Sequence, residues 1–138
     1  MIRNKFYLEI ESDPNNLIIV EEFVNYCSVE LNINKEKISS LLLAVTEAVT
    51  NAIIHANKND KSKLVKISVE RKNQQLIITV KDQGNGFDPS KVPDPTIPEN
   101  LLKDSGRGVY LMRFYTDELK FNITPEGTET ILILNLKE

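Results

Sequence analysis

At 138 residues and a formal net charge of −3, the chain has the length of one domain around one core, with no room for a second catalytic module. The acidic balance and the absence of a Lys/Arg cluster argue against nucleic acid as the main partner. One cysteine, Cys27, excludes an internal disulfide or a cysteine-rich metal site; with Arg3, Lys5 and Glu9 interrupting any leader and no run reaching roughly 18 apolar residues, the expected location is cytoplasmic.

The elements read in order from the amino terminus. Phe6, Leu8 and Ile10 alternate with Lys5, Tyr7 and Glu9 as a first strand, and Ser12-Asp13-Pro14 supplies a cap and first turn for a helix ending near Leu31. Cys27, in register with Val20, Val24 and Leu31, belongs to the core side of that helix. A second helix follows Asn32-Ile33-Asn34 and ends in the polar stretch Asn57 to Lys61. Val65, Ile67 and Val69 alternate with polar neighbours, Lys72-Asn73-Gln74 turns the chain, and Leu76 to Lys81 pairs back as a hairpin. Residues 87–105 carry four prolines and little periodicity, which suits a lid over a ligand. A short helix is expected from about Gly108, then strands Leu119–Ile123 and Thr130–Leu136 joined at Pro125-Glu126-Gly127. The sum is a single α/β (α+β) domain over residues 1–138, a two-layer sandwich with a mixed, mainly antiparallel sheet under helices.

Three short motifs stand out. Between Ile38 and Ala56 the only formal charge is Glu47, with Asn51 one turn later. At about 100° per residue, Ile38, Leu41, Leu42, Val45, Val49 and Ile53 form a core stripe, and Glu47 and Asn51 fall opposite it, bordered by Leu43, Ala44 and Ile54. A carboxylate on so apolar a helix is costly without a partner or a task, although a hydrogen-bonded structural glutamate would serve as well. Asp82-Gln83-Gly84-Asn85-Gly86-Phe87 places a carboxylate where a strand ends, with glycines that free the backbone; a plain turn reads the same way. Ser105-Gly106-Arg107-Gly108 precedes an amphipathic run, where glycines at a helix start let N–H groups meet an anion, or merely end a loop.

In this order and spacing, E-x-x-x-N on a helix, D-x-G-x-G-F after a strand and G-x-G at a helix resemble the GHKL (Bergerat-fold) class of ATP-binding domains. That class is shared by gyrase-type topoisomerases, heat-shock chaperones, sensor histidine kinases and MutL. The stretch Glu47-Ala48-Val49-Thr50-Asn51-Ala52-Ile53-Ile54-His55, the connection Asp94-Pro95-Thr96 to Leu102 and the run Gly106 to Met112 resemble more closely the anti-sigma factor serine-protein kinases of the RsbW and SpoIIAB type. The resemblance spans nearly the whole chain.

It implies ATP and Mg²⁺ as cofactors, Asn51 as the metal ligand and Glu47 as the general base beside the terminal phosphate. Asp82 would accept from the adenine amino group, with Gly84 and Gly86 letting the backbone pass the base. Gly106 and Gly108 would cradle phosphates, and Arg107 would reach the γ-phosphate or pair with a neighbouring carboxylate. The implied activity is phosphorylation of Ser or Thr on a small anti-anti-sigma (STAS) partner by a protein that also sequesters a sigma factor, with homodimerisation left open. The rival reading is a nucleotide-gated binding module that transfers no phosphate at a useful rate; a detached ATPase domain of a two-component kinase is a third. His55, the only histidine, makes no metal site by itself and fits a structural hydrogen-bonding role, and Lys58, near the helix end, either faces phosphates or complements the helix C-terminus. No G-x-x-x-x-G-K-[ST], H-R-D or D-F-G occurs, which excludes a P-loop NTPase or a eukaryotic-type protein kinase.

Overall fold

The computed structural model describes residues 4–84 and 104–136, with the side chains of 104–106 excepted. Strand β1 (Lys5–Glu11) leads through a 3₁₀ turn (Pro14–Asn16) into helix α1 (Leu17–Glu30), followed by α2 (Lys35–Thr50), which runs on as a π-helical segment (Asn51–Ala56). Then come β2 (Leu64–Lys72), β3 (Gln75–Lys81), α3 (Asp104–Tyr115), β4 (Glu118–Thr124) and β5 (Gly127–Asn135). Asp13 caps the 3₁₀ turn through a side-chain bond from Asn15 N–H, with Pro14 at the first position, as the Ser12-Asp13-Pro14 sequence predicts.

One five-stranded sheet has the order β1-β2-β3-β5-β4. All four pairings are antiparallel, which corrects the expected mixed sheet. Helices α1 and α2 lie between β1 and β2, and β2 returns antiparallel to β1. Strands β3 and β4, the one pair consecutive in the chain that runs the same way, are separated by β5, which pairs between them.

Period-two alternation sends one side of every strand to the helices. Phe6, Val69, Ile78 and Leu132 form one cross-strand row, and Leu8, Ile67, Val80 and Thr130 the next. Against these pack Leu41, Val45, Val49 and Ile53 of the second helix and Val20, Val24 and Cys27 of the first, all buried. Ile38 and Leu42 are half-buried at the margin of the same stripe. Burial pushes the Cys27 thiol up to about 12, in keeping with a core residue.

The helical run Lys35–Ala56 spans 22 residues and holds an 18-residue window of mean hydropathy 1.4, long and apolar enough by composition to cross a membrane, against the expectation that no segment comes near this. Its apolar stripe is instead occupied by the sheet, which is how the core helix of a two-layer sandwich passes the same test. Arg71 ties the helix layer to the sheet: its Nη1 donates to the carbonyls of Leu31 (2.8 Å) and Asn32 (3.1 Å), oxygens at the otherwise open C-terminal end of α1.

Candidate nucleotide site

Alternation along β3 puts Val80 on the helix side, Lys81 on the outer side and Asp82, just past the strand, on the helix side again. There Asp82 is 5% exposed. Its N–H donates to Thr128 O (3.0 Å), and its Oδ1 accepts from the N–H groups of Thr128 (3.0 Å) and Gly84 (3.0 Å). Burial raises the pKa of this carboxyl, and those two N–H bonds oppose the rise. Both bonds go to Oδ1, so Oδ2 is the oxygen left to meet a ligand. Beside it, Thr128 is fully buried and its Oγ1 is the one buried side-chain polar atom without a partner among the described residues. A carboxylate acceptor beside an orphaned hydroxyl suits a ligand edge that presents an amino donor next to a ring acceptor, as adenine does.

The loop's path is set by the absence of side chains. A Cβ on Gly84 would lie 2.6 Å from Ala56 O, and one on Gly127 would lie 2.1 Å from Asp82 O. Gly127 also adopts φ +149°, a region that L side chains rarely enter. The chain holds only five glycines, so each was a candidate for a close approach. The reading of Pro125-Glu126-Gly127 as a turn overlooked that Gly127 packs on Asp82. Thr128 was missed as well, because nothing in a single sequence separates it from any strand threonine.

The second half of the site lies between α2 and α3. Glu47 and Asn51 are both half-buried, one turn apart, rather than enclosed: Ala44 is covered, but Leu43 and Ile54 remain exposed. Gly108 packs directly onto them, where an added Cβ would stand 3.2 Å from Asn51 Oδ1 and 3.2 Å from Glu47 Oε2. The expected helix start at Gly108 is therefore corrected. Helix α3 begins at Asp104, and both glycines lie inside it. Gly106 lies in the first turn of α3 and Gly108 further into the helix. Gly108 sits in close packing with the Glu47 and Asn51 side chains. Arg107 is exposed on the same helix.

The π segment begins at Asn51, and Asn57 N–H donates to Ala52 O five residues back. His55 and Lys58 are exposed, and Lys58 takes φ +53° where the helix ends. Gly86 and nearly all of the expected lid, 87–105, lie outside the described residues.

Residues 10–134 match the family of histidine kinase-like ATPase domains. The chain belongs to that family. It is 31% identical over 140 residues to the anti-sigma F factor of Anoxybacillus flavithermus, spanning 98% of this chain and 94% of the relative. It is 33% identical over 131 residues to the serine-protein kinase RsbW of Bacillus licheniformis, spanning 89% and 82% respectively. Among solved structures, one containing the RsbU and RsbW domains of a Mycobacterium tuberculosis protein superposes with a TM-score of 0.69 at 16% identity, over 99% of this chain and 33% of that one. The histidine kinase domain of a blue-light activated kinase from Erythrobacter litoralis gives 0.58 at 20% identity, over 92% of this chain and 62% of that one. At these identities the two structures establish the shared fold, and the sequence relatives place the chain in the anti-sigma F factor and RsbW branch. Membership in this ATPase family carries nucleotide use with it.

Proposed function

We propose that this chain is an ATP-dependent serine/threonine protein kinase and anti-sigma factor of the cytoplasm, which phosphorylates a small STAS-type antagonist and sequesters a sigma factor. The observation that carries the reading is the convergence of Glu47, Asn51 and Gly108, a carboxylate and a carboxamide one turn apart with a helix backbone pressed against both. Phosphoryl transfer asks a protein for positioning and charge stabilisation more than covalent chemistry, and the two halves of the site divide that work.

Asp82 Oδ2 accepts from the adenine amino group, with the Thr128 hydroxyl beside it and Gly84 and Gly86 giving the base room. Gly106 and the first turn of α3 face the phosphates, and Arg107, on the same helix, reaches the γ-phosphate. Glu47 takes the proton from a Ser or Thr hydroxyl of the partner; that oxygen bonds to the γ-phosphorus, the bond to the bridging oxygen breaks, and ADP leaves. Asn51 fits Mg²⁺, which accepts a neutral oxygen together with phosphates and waters and would neutralise phosphate charge.

The test is incubation with labelled ATP and partners co-purified from the native host. Acid-stable phosphoserine or phosphothreonine on a small partner supports the reading, and acid-labile phosphohistidine points to a two-component kinase. Partner capture that depends on nucleotide, with no label transferred, establishes the nucleotide-gated binding module instead. Sedimentation of the purified chain alone and with each partner reads whether two copies pair.

A further inference from the structure

Asn57 is fully buried, polar, and unused by the chemistry described above. It sits six residues beyond Asn51, where the π segment ends, and its carboxamide bonds in two directions. Oδ1 accepts from Gln83 N–H (2.8 Å), the residue immediately after Asp82. Nδ2 donates to Ser12 Oγ (2.9 Å) and Leu64 O (3.2 Å), and Ser12 Oγ in turn donates to Lys63 O (2.6 Å). The Gln83 side chain closes the circuit by accepting from Leu64 N–H. A single carboxamide thus joins the end of β1, the start of β2, the end of the helix bearing Glu47 and Asn51, and the loop bearing Asp82.

No other described hydrogen bond links the 51–57 segment directly to the loop 82–84; the remaining tie is the packing of Gly84 on Ala56. A buried carboxamide with every polar atom engaged holds one geometry, since any rotation would leave a donor or acceptor unpaired at a cost of about 1–3 kcal/mol.

We propose that Asn57 is the positioning residue that sets Asp82 against Asn51, and so fixes where the base of the nucleotide lies relative to its phosphates. This rests on the reading of Asp82 as the acceptor of the adenine amino group. Loss of the carboxamide lets the 82–84 loop shift while Glu47 and Asn51 keep their places on α2. The consequence is weak, poorly discriminating nucleotide binding with the chemical step largely intact.

The experiment measures ATP and GTP affinities by calorimetry, and KM for ATP and kcat with a co-purified partner, for wild type, Asn57→Ala, Ser12→Ala, Asp82→Asn and Arg71→Ala. Asn57→Ala should raise the Kd for ATP by about ten-fold and shrink the ATP over GTP preference, with kcat at saturating ATP within a few-fold of wild type. Ser12→Ala, which loosens only the far end of the carboxamide, should move the same ratio less, and it decides the matter if Asn57→Ala does not fold. Arg71→Ala removes ties elsewhere, to the end of α1, and should lower the melting temperature without moving the ratio. Asn57→Ala and Ser12→Ala with wild-type affinity and preference, while Asp82→Asn loses the preference, would overturn the proposal alone. An unchanged preference in Asp82→Asn would overturn both the proposal and the adenine reading beneath it.

Discussion

Gly108 of α3 lies against Asn51 of the neighbouring helix so closely that a methyl group in place of its hydrogen would stand 3.2 Å from the carboxamide oxygen and as near to the Glu47 carboxylate. Contact at that distance requires the side chains to give by a few tenths of an ångström. Gly108→Ala therefore separates stability from function. Alanine gains about 1 kcal/mol of helix propensity, so the melting temperature should hold or rise. Phosphotransfer should fall about ten-fold or more, because a small displacement of positioned groups is expensive in rate. A variant with full activity would mean that Glu47 and Asn51 do not need their present places.

Glu47→Gln keeps shape and hydrogen bonding but cannot accept a proton at neutral pH. ATP binding should stay near normal while phosphorylation of the partner falls by about the 100- to 10,000-fold typical of general-base loss. Equal transfer by the two forms in a single-turnover assay would remove Glu47 from that role.

Asn51→Ala should behave in the opposite way. The substitution suits a helix, so the fold survives, and the lost oxygen is the one proposed to meet the metal. ATP affinity should drop in the presence of Mg²⁺ and change little in its absence. Calorimetry with and without EDTA reads the difference directly, and wild-type affinity in Mg²⁺ would refute the assignment.

Asp82→Asn is expected to retain the fold, since an amide oxygen can still accept from Gly84 and Thr128. On the proposed adenine contact, the ATP over GTP preference should shrink, because a donor replaces the acceptor meant to face the amino group. A pH dependence comes with it. The carboxyl pKa is raised in the folded state, so the native protein binds more protons than the unfolded chain between the ordinary carboxylate value and the raised one. Wild-type stability from this group consequently falls as pH rises through that window. Asp82→Asn should melt higher than wild type at neutral pH, with the gap closing in acid below the ordinary value. A gap that is constant with pH would show that burial does not hold this carboxyl up.

For Gly127→Ala the expectation is a loss of roughly 1–3 kcal/mol or more, from φ +149° and a Cβ placed 2.1 Å from Asp82 O. Thermal melting measures the loss. Reduced nucleotide affinity well below the melting temperature would show that Asp82 moves with it.

Local chemistry determined much of this protein directly. Alternation in 5–10, 65–69 and 76–81 predicts β1, β2 and β3 because a half-buried strand must send every second residue to the core. The 3.6-residue stripe through Leu41, Val45, Val49 and Ile53 likewise predicts which side of α2 is buried, and therefore that Glu47 and Asn51 face away from the sheet. Asp82 at the end of an alternating strand follows from the same parity. What tertiary structure decided are the contacts between segments far apart in the chain. Gly106 and Gly108 read as the lead into a helix start, yet α3 runs through both, and at Gly108 the side chains of Glu47 and Asn51 leave an added Cβ only a tight fit. Gly127 and Thr128 look like turn and strand until β5 inserts beside β3 and brings them onto Asp82 from 46 residues away. Asn57 reads as one more polar residue in a loop, and only the meeting of β1, β2 and β3 at the helix end buries it and engages every polar atom of its side chain. Periodicity is a property of one segment against an apolar layer. A hydrogen bond or a missing Cβ between two segments depends on where both lie, and that is settled only when the whole core closes.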